Sequence, residues 1–134
     1  VLYLAINESG NKIGIKAISE AINMPAPFLG KILQILAKQK ILNSSKGPHG
    51  GFSLAKKAED ISLLDIVSII DGVDFFNTCI IGLKLCEGNS ANKEICPFHD
   101  KLDPLRDQLH YQFKNLSIGS FKNDMETYKG LISL

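Results

Sequence analysis

Three cysteines and a histidine lie close together, in the pattern Cys79-x6-Cys86-x9-Cys96-x2-His99. Thiolates are soft ligands that suit iron–sulfur clusters or zinc. Three Cys and one His could hold a cluster, since histidine ligation to iron is established chemistry and raises the reduction potential. The same four residues could instead close a tetrahedral zinc site with no redox role. A third reading is direct oxidation of the thiols. An odd number of cysteines in a chain without secretory features argues against a disulfide framework. The stretch from 73 to 98 is irregular and contains Gly and Asn, so without an ion little in it would offset the entropy of ordering. On residue chemistry a two-iron or four-iron cluster and zinc both stand open as the cofactor or metal, with Cys79, Cys86, Cys96 and His99 as the candidate ligands, beside a metal-free thiol site.

Other groups suggest less. His110 lies beside Tyr111 on an amphipathic segment and reads as a surface or interface residue. Asp71 and Asp74 flank Gly72 without the spacing of a calcium loop. The sequence has no nucleophile elbow, P-loop or dinucleotide motif, and nothing orients a Cys–His pair for catalysis. No catalytic residues are expected, and an enzyme is not expected.

The elements that must position the four ligands lie on either side of them. ISLLDIVSIIDG, residues 61–72, reads as an amphipathic helix with Ser62 as N-cap. LDPLRDQLHYQFKNL, residues 102–116, reads as a second helix, with Asp103 capping it and Pro104 in its first turn. Its apolar residues Leu102, Leu105, Leu109, Phe113 and Leu116 recur at the 3,4 spacing of a helix–helix seam. A last short helix is expected over 117–129.

The first half has a different character. Residues 1–7 read as the end of an apolar helix and 15–22 as a short one with Ile15, Ile18 and Ile22 on one stripe. From about Ala26 to Gln39, Phe28, Leu29, Ile32, Leu33 and Leu36 mark the buried face of a longer helix. Two helices separated by a tight break form the outline of a helix-turn-helix. Next come two short strands, 41–45 and 51–55, joined by the loop KGPHGG. A hairpin in that place is a wing. Lys46 and His49 at its tip could meet phosphates or minor-groove edges, and Gly47 and Gly50 would permit close approach of main chain. On the preceding helix, Pro25, Ala26, Pro27, Gly30, Lys31, Gln34 and Lys38 are expected to be DNA-binding, with Lys31 and Gln34 best suited to read base edges.

Charge is distributed accordingly. Residues 1–60 carry eight Lys against four acidic residues, whereas 61–134 carry six Lys and one Arg against ten acidic residues. Such an asymmetry suggests that the first half faces a polyanion. At 134 residues with 45% apolar content, the chain can build one core. No apolar run approaches the roughly 18 residues of a membrane helix. VLYLAINE, residues 1–8, lacks the basic start and cleavage site of a signal peptide. The expectation is a cytoplasmic protein without membrane partners, whose first helix begins upstream of Val1.

The run from Ile18 to Lys56 resembles the Rrf-two family of bacterial transcription regulators. The matching residues are Ile18–Ser19, the segment FLGKILQIL over 28–36, and the wing KGPHGGFSL over 46–54. SLLDIVSIIDG resembles the family's next helix, so the similarity extends over almost the whole chain. The resemblance implies a mainly α fold with a small β-hairpin wing: a winged helix-turn-helix plus a long C-terminal dimerisation helix. It divides the chain into a DNA-binding domain (1–72), a cluster-binding loop (73–101), and the dimerisation and C-terminal helices (102–134). It implies a homodimer that binds a double-stranded DNA operator, paired through Leu102, Leu105, Leu109, Phe113 and Leu116. Cluster-binding members carry three Cys in this place with shorter, more equal gaps, so the gaps of six and nine residues depart from the pattern. The Cys96–His99 step resembles the iron–sulfur branch. The function implied is a regulator that senses iron–sulfur, nitric oxide or redox status. The alternative is a zinc-stabilised or metal-free winged-helix regulator or interaction module, responding to a small molecule or to thiol oxidation.

Overall fold

The apolar spacing of residues 26–39 folds as helix α3 (Ala26–Lys38), and its neighbours assemble around it. A computed structural model of the chain describes residues 1–7, 11–76 and 99–127. Before α3 come α1 (Leu2–Ile6) and α2 (Ile15–Ala21). After it come β1 (Leu42–Ser45), β2 (Gly51–Leu54), α4 (Leu63–Ile70), α5 (His99–Asn115) and α6 (Ile118–Thr127). Short 3-10 turns occur at Ala58–Asp60 and Val73–Phe76. This is the expected mainly helical architecture with a single hairpin among the described residues.

Leu29, Leu33 and Leu36 of α3 are buried with Leu4, Ala5, Ile18, Ile41, Leu42 and Ile61 in one cluster. Phe28 was expected on that face but is 58% exposed. At about 100° per residue it lies a quarter turn from Leu29, beyond the edge of the buried stripe. Ile22 of α2 is likewise exposed, whereas Ile18 is buried. The strands pair antiparallel, with Leu42 opposite Leu54 and Ser45 opposite Gly51. Ile13 extends this ribbon by exchanging two main-chain bonds of 2.9 Å with Phe52.

Ser62 caps α4 through a full capping box. Its Oγ accepts from the Asp65 N–H at 3.0 Å, and Asp65 Oδ2 accepts from the Ser62 N–H at 2.9 Å. Helix α5, by contrast, starts at His99 rather than Leu102, so Pro104 lies inside it. Proline supplies no N–H, so the bond that would reach back to the Asp100 carbonyl is missing. The helix nonetheless continues through this position to Asn115. Asp103 does not act as a cap. It accepts from Arg106 Nη2, three residues on.

Helix α6 lies against the first half of the chain. Ile118 is buried in the same core as Leu4 and Ile61, and α6 packs on α1 and on the turn at 58–60. Two main-chain bonds of 2.8 Å fix this joint: Leu63 N–H donates to Leu116 O, and Ile118 N–H donates to Ile61 O. The start of α6 therefore belongs to the winged-helix body.

Candidate nucleic-acid interface and cysteine segment

The turn between α2 and α3 aims the exposed face of α3. Asn23 takes a left-handed conformation (φ 49°), and the Ser19 hydroxyl donates to Met24 O at 2.5 Å. The Met24 N–H returns a bond to Ser19 O at 3.0 Å. With Ile18 buried beneath, these bonds set the approach of one helix to the other. Gly30 contributes at the contact itself, since a Cβ there would come within 3.1 Å of Ile15 Cδ1.

Away from the core, α3 presents Pro25, Pro27, Lys31, Gln34 and Lys38, all exposed. Ala26 and Gly30 are half-buried, Gly30 because it faces α2. Phe28 and Ile35 form an exposed apolar flank beside this polar strip. At its far end the helix stops through Lys40, which takes φ 57° and lets the Ile41 N–H reach back to Leu36 O at 3.0 Å. That reversal sends the chain directly into β1.

The wing tip exposes Lys46, Gly47, Pro48 and His49. Gly47 has φ 107°, which side-chain-bearing residues rarely adopt, and its carbonyl accepts from the Gly50 N–H at 2.9 Å. The other two glycines answer to the protein's own main chain. A Cβ on Gly50 would collide with Ser45 O and lie 2.8 Å from the Lys46 carbonyl carbon, and one on Gly51 would lie 2.5 Å from Ile13 O. The glycine-rich loop is thus required first by the hairpin's own geometry.

Cys79, Cys86 and Cys96 lie outside the described residues, and His99 is described only as the first residue of α5. Among the described residues no group of three or more His, Cys, Asp or Glu could hold a metal ion. On the N-terminal side of the cysteine stretch the described residues run to Phe76. This side chain is buried and packs edge-on against His110 and Phe113 of α5, with ring centroids 5.2 and 5.3 Å away. Sequence spacing did not single out Phe76, because it follows Phe75 with no helical or strand period around it. His110 is exposed, as expected, with one side against Phe76.

The five expected seam residues divide into two groups. Leu105 and Leu109 are 59% and 45% exposed. Leu102, Phe113 and Leu116 are half-buried, Phe113 against Phe76 of its own chain. No described helix is long and apolar enough to cross a membrane.

The family model of Rrf2, described as an iron-dependent transcriptional regulator, matches residues 1–124. This chain belongs to the Rrf2 family. An HTH-type transcriptional regulator of Aquifex aeolicus is 31% identical over 126 residues, covering 94% of this chain and 85% of that protein. The regulator IscR of Escherichia coli is 26% identical over 126 residues, covering 94% and 75%. Among solved structures, IscR of T. potens superposes with a TM-score of 0.73 at 18% identity, covering 99% of this chain and 83% of the other. CymR of B. subtilis superposes at 0.70 with 17% identity, covering 91% and 86%. At such identities the superpositions show a shared fold. The Rrf2 chain is a transcription regulator of the IscR-like kind, and its relatives are regulators rather than enzymes.

Proposed function

We propose that this Rrf2 regulator is a homodimer whose operator affinity follows the state of an iron–sulfur cluster held by Cys79, Cys86, Cys96 and His99. The observation that carries the reading is the donor set: three thiols and an imidazole within one short stretch that leads directly into α5. Soft sulfur ligands with one imidazole fit iron–sulfur clusters, and the family's description as iron-dependent favours iron over zinc. When bound, such a cluster would supply a redox-sensitive and nitric-oxide-sensitive cross-link between its ligands.

The chain's own residues would do the rest. Lys31 and Gln34 would read base edges, while Lys46 and His49 would hold phosphates or minor-groove edges. Phe76, three residues before Cys79, ties the entry of the cysteine stretch to the body of α5. His99 sits at that helix's beginning. A change in ligation would therefore act on α5 from two places. Because α5 joins the winged-helix body through Leu116 and Ile118, tilting it would alter the spacing of two recognition helices in a dimer. Such sensing requires different operator affinities in the two states.

The experiment is a visible spectrum of protein purified without oxygen, with iron, sulfide and zinc assayed on the same sample. Brown protein with matching iron and sulfide, bleached in Cys86→Ala, is the expected outcome. Colourless protein with one zinc per chain would move the site to a structural role. Colourless, metal-free protein after anaerobic reconstitution would remove the cluster from the mechanism. Salt-sensitive binding to duplex DNA tests the other half of the reading.

A further inference from the structure

The first turn of α3 has an unusual chemistry for a helix that reads DNA. From Pro25 through Gly30 the side chains are Pro, Ala, Pro, Phe, Leu and none, so no hydrogen-bonding side chain occurs before Lys31. The main chain offers little more. Pro25 and Pro27 have no N–H, and the amides of Phe28 and Leu29 are bonded to Pro25 O at 3.1 and 3.0 Å. The leading end of the helix therefore cannot read bases mainly through donors and acceptors. What it does present is Phe28, 58% exposed, beside the exposed Pro27. Helical side chains lean toward the N-terminus, so the ring covers the first turn rather than the helix middle.

We infer that Phe28, with Pro27, reads thymine methyl groups in the major groove. The C5-methyl of thymine is the one apolar group that the edges of the base pairs present there. The patch is continuous with Lys31 and Lys38 on the same helix, and this cationic surround favours duplex DNA over an apolar protein partner. Recognition along α3 then divides by chemistry. The first turn selects thymine by contact with its methyl group, and Lys31 and Gln34 select by hydrogen bonds one and two turns later. The inference rests on the DNA-binding reading proposed above.

The test begins with anaerobically purified full chain and a pool of random DNA duplexes. The duplexes that it retains are remade with deoxyuridine for thymidine, which removes the methyl and nothing else. Affinity should fall about fourfold for each contacted methyl, the effect expected of one buried carbon. In Phe28→Ala that difference should vanish, and in Phe28→Leu part of it should survive. The alanine variant should melt at nearly the wild-type temperature, because the ring lies mainly in solvent. If no duplex binds with salt dependence, the DNA-binding reading fails and takes this inference with it. If duplexes bind but deoxyuridine has no effect, or its effect persists in Phe28→Ala, the inference alone is overturned. An alanine variant that changes oligomeric state while keeping the deoxyuridine effect would assign Phe28 to a protein contact instead, and would also overturn it.

Discussion

Helices α3 and α5 both carry leucines at helical spacing, but they satisfy them differently. Leu29, Leu33 and Leu36 of α3 are 4%, 2% and 2% exposed, enclosed by α2, β1 and α4. Leu105 and Leu109 of α5 are 59% and 45% exposed. Among the described residues, α5 finds cover against Phe76 and α4, while Leu105 and Leu109 stay open. Spacing shows that a helix requires an apolar partner, and the neighbouring elements decide whether that partner is in the same chain. A partner supplied by a second copy is what the homodimer proposal assigns to the open half.

The largest effects should separate the covered half of α5 from the open half. Phe76→Ala removes a buried ring from between His110 and Phe113. It should cost about 3–5 kcal/mol of unfolding free energy in urea titration. A loss under about 1 kcal/mol would mean that this contact does not hold α5 on the body. Leu36→Ala provides the matching value for α3, at about 2–5 kcal/mol.

Substitution in the open half should behave differently. In an isolated chain, Leu105→Ala and Leu109→Ala would each change stability by no more than about 0.5 kcal/mol, as exposed positions do. On the homodimer proposal the double variant dissociates, which sedimentation velocity across a concentration series would reveal. Wild-type protein that sediments as a monomer at all concentrations would leave those leucines without their proposed partner.

The same contrast explains what could be read from the sequence. The helix-turn-helix and the hairpin were legible because their signals are local: the apolar spacing of two helices around a tight break, and a Gly/Pro loop between two short runs. Ser62 was legible as a cap because serine is favoured just before an apolar helical run, and the partner it found is Asp65. Non-local features were not. The bonds that join Ile61 and Leu63 to Ile118 and Leu116 link segments more than fifty residues apart, and no short-range pattern announces them. Phe76 is buried by α5 rather than by any period of its own. Pro104 and Asp103 are sound markers of a helix start in general, yet Asp103 found Arg106 and the helix began earlier. For the cysteines, spacing and residue type alone carry the ligand assignment.

A smaller effect tests the joint between the two regions. Ser62 begins α4 and also stands opposite Ser117, which begins α6. Ser62→Ala removes the acceptor of the Asp65 N–H and should cost about 0.5–2 kcal/mol. Its main-chain pairing to residue 117 is unaffected by the substitution, so α6 should stay docked. A thermal melt with one cooperative transition at lower temperature is expected. Two separated transitions would mean that the cap, rather than the main-chain bridge, keeps the joint closed.

The smallest effect lies where α3 turns into the wing, and its sign is the informative part. Lys40 adopts φ 57° so that Ile41 can cap the helix and enter β1. A non-glycine residue in this region carries a steric cost of about 1–2 kcal/mol, whereas glycine does not. Glycine also gains more chain entropy on unfolding, which offsets part of that relief. Lys40→Gly should therefore raise stability by a few tenths to about 1 kcal/mol, although it deletes an exposed charge. Lys40→Ala should not, because alanine keeps the Cβ that causes the strain. If both variants are equally destabilising, the lysine side chain, rather than the conformation of its backbone, matters at this corner. If only glycine stabilises, the corner that hands α3 to β1 retains a strained residue.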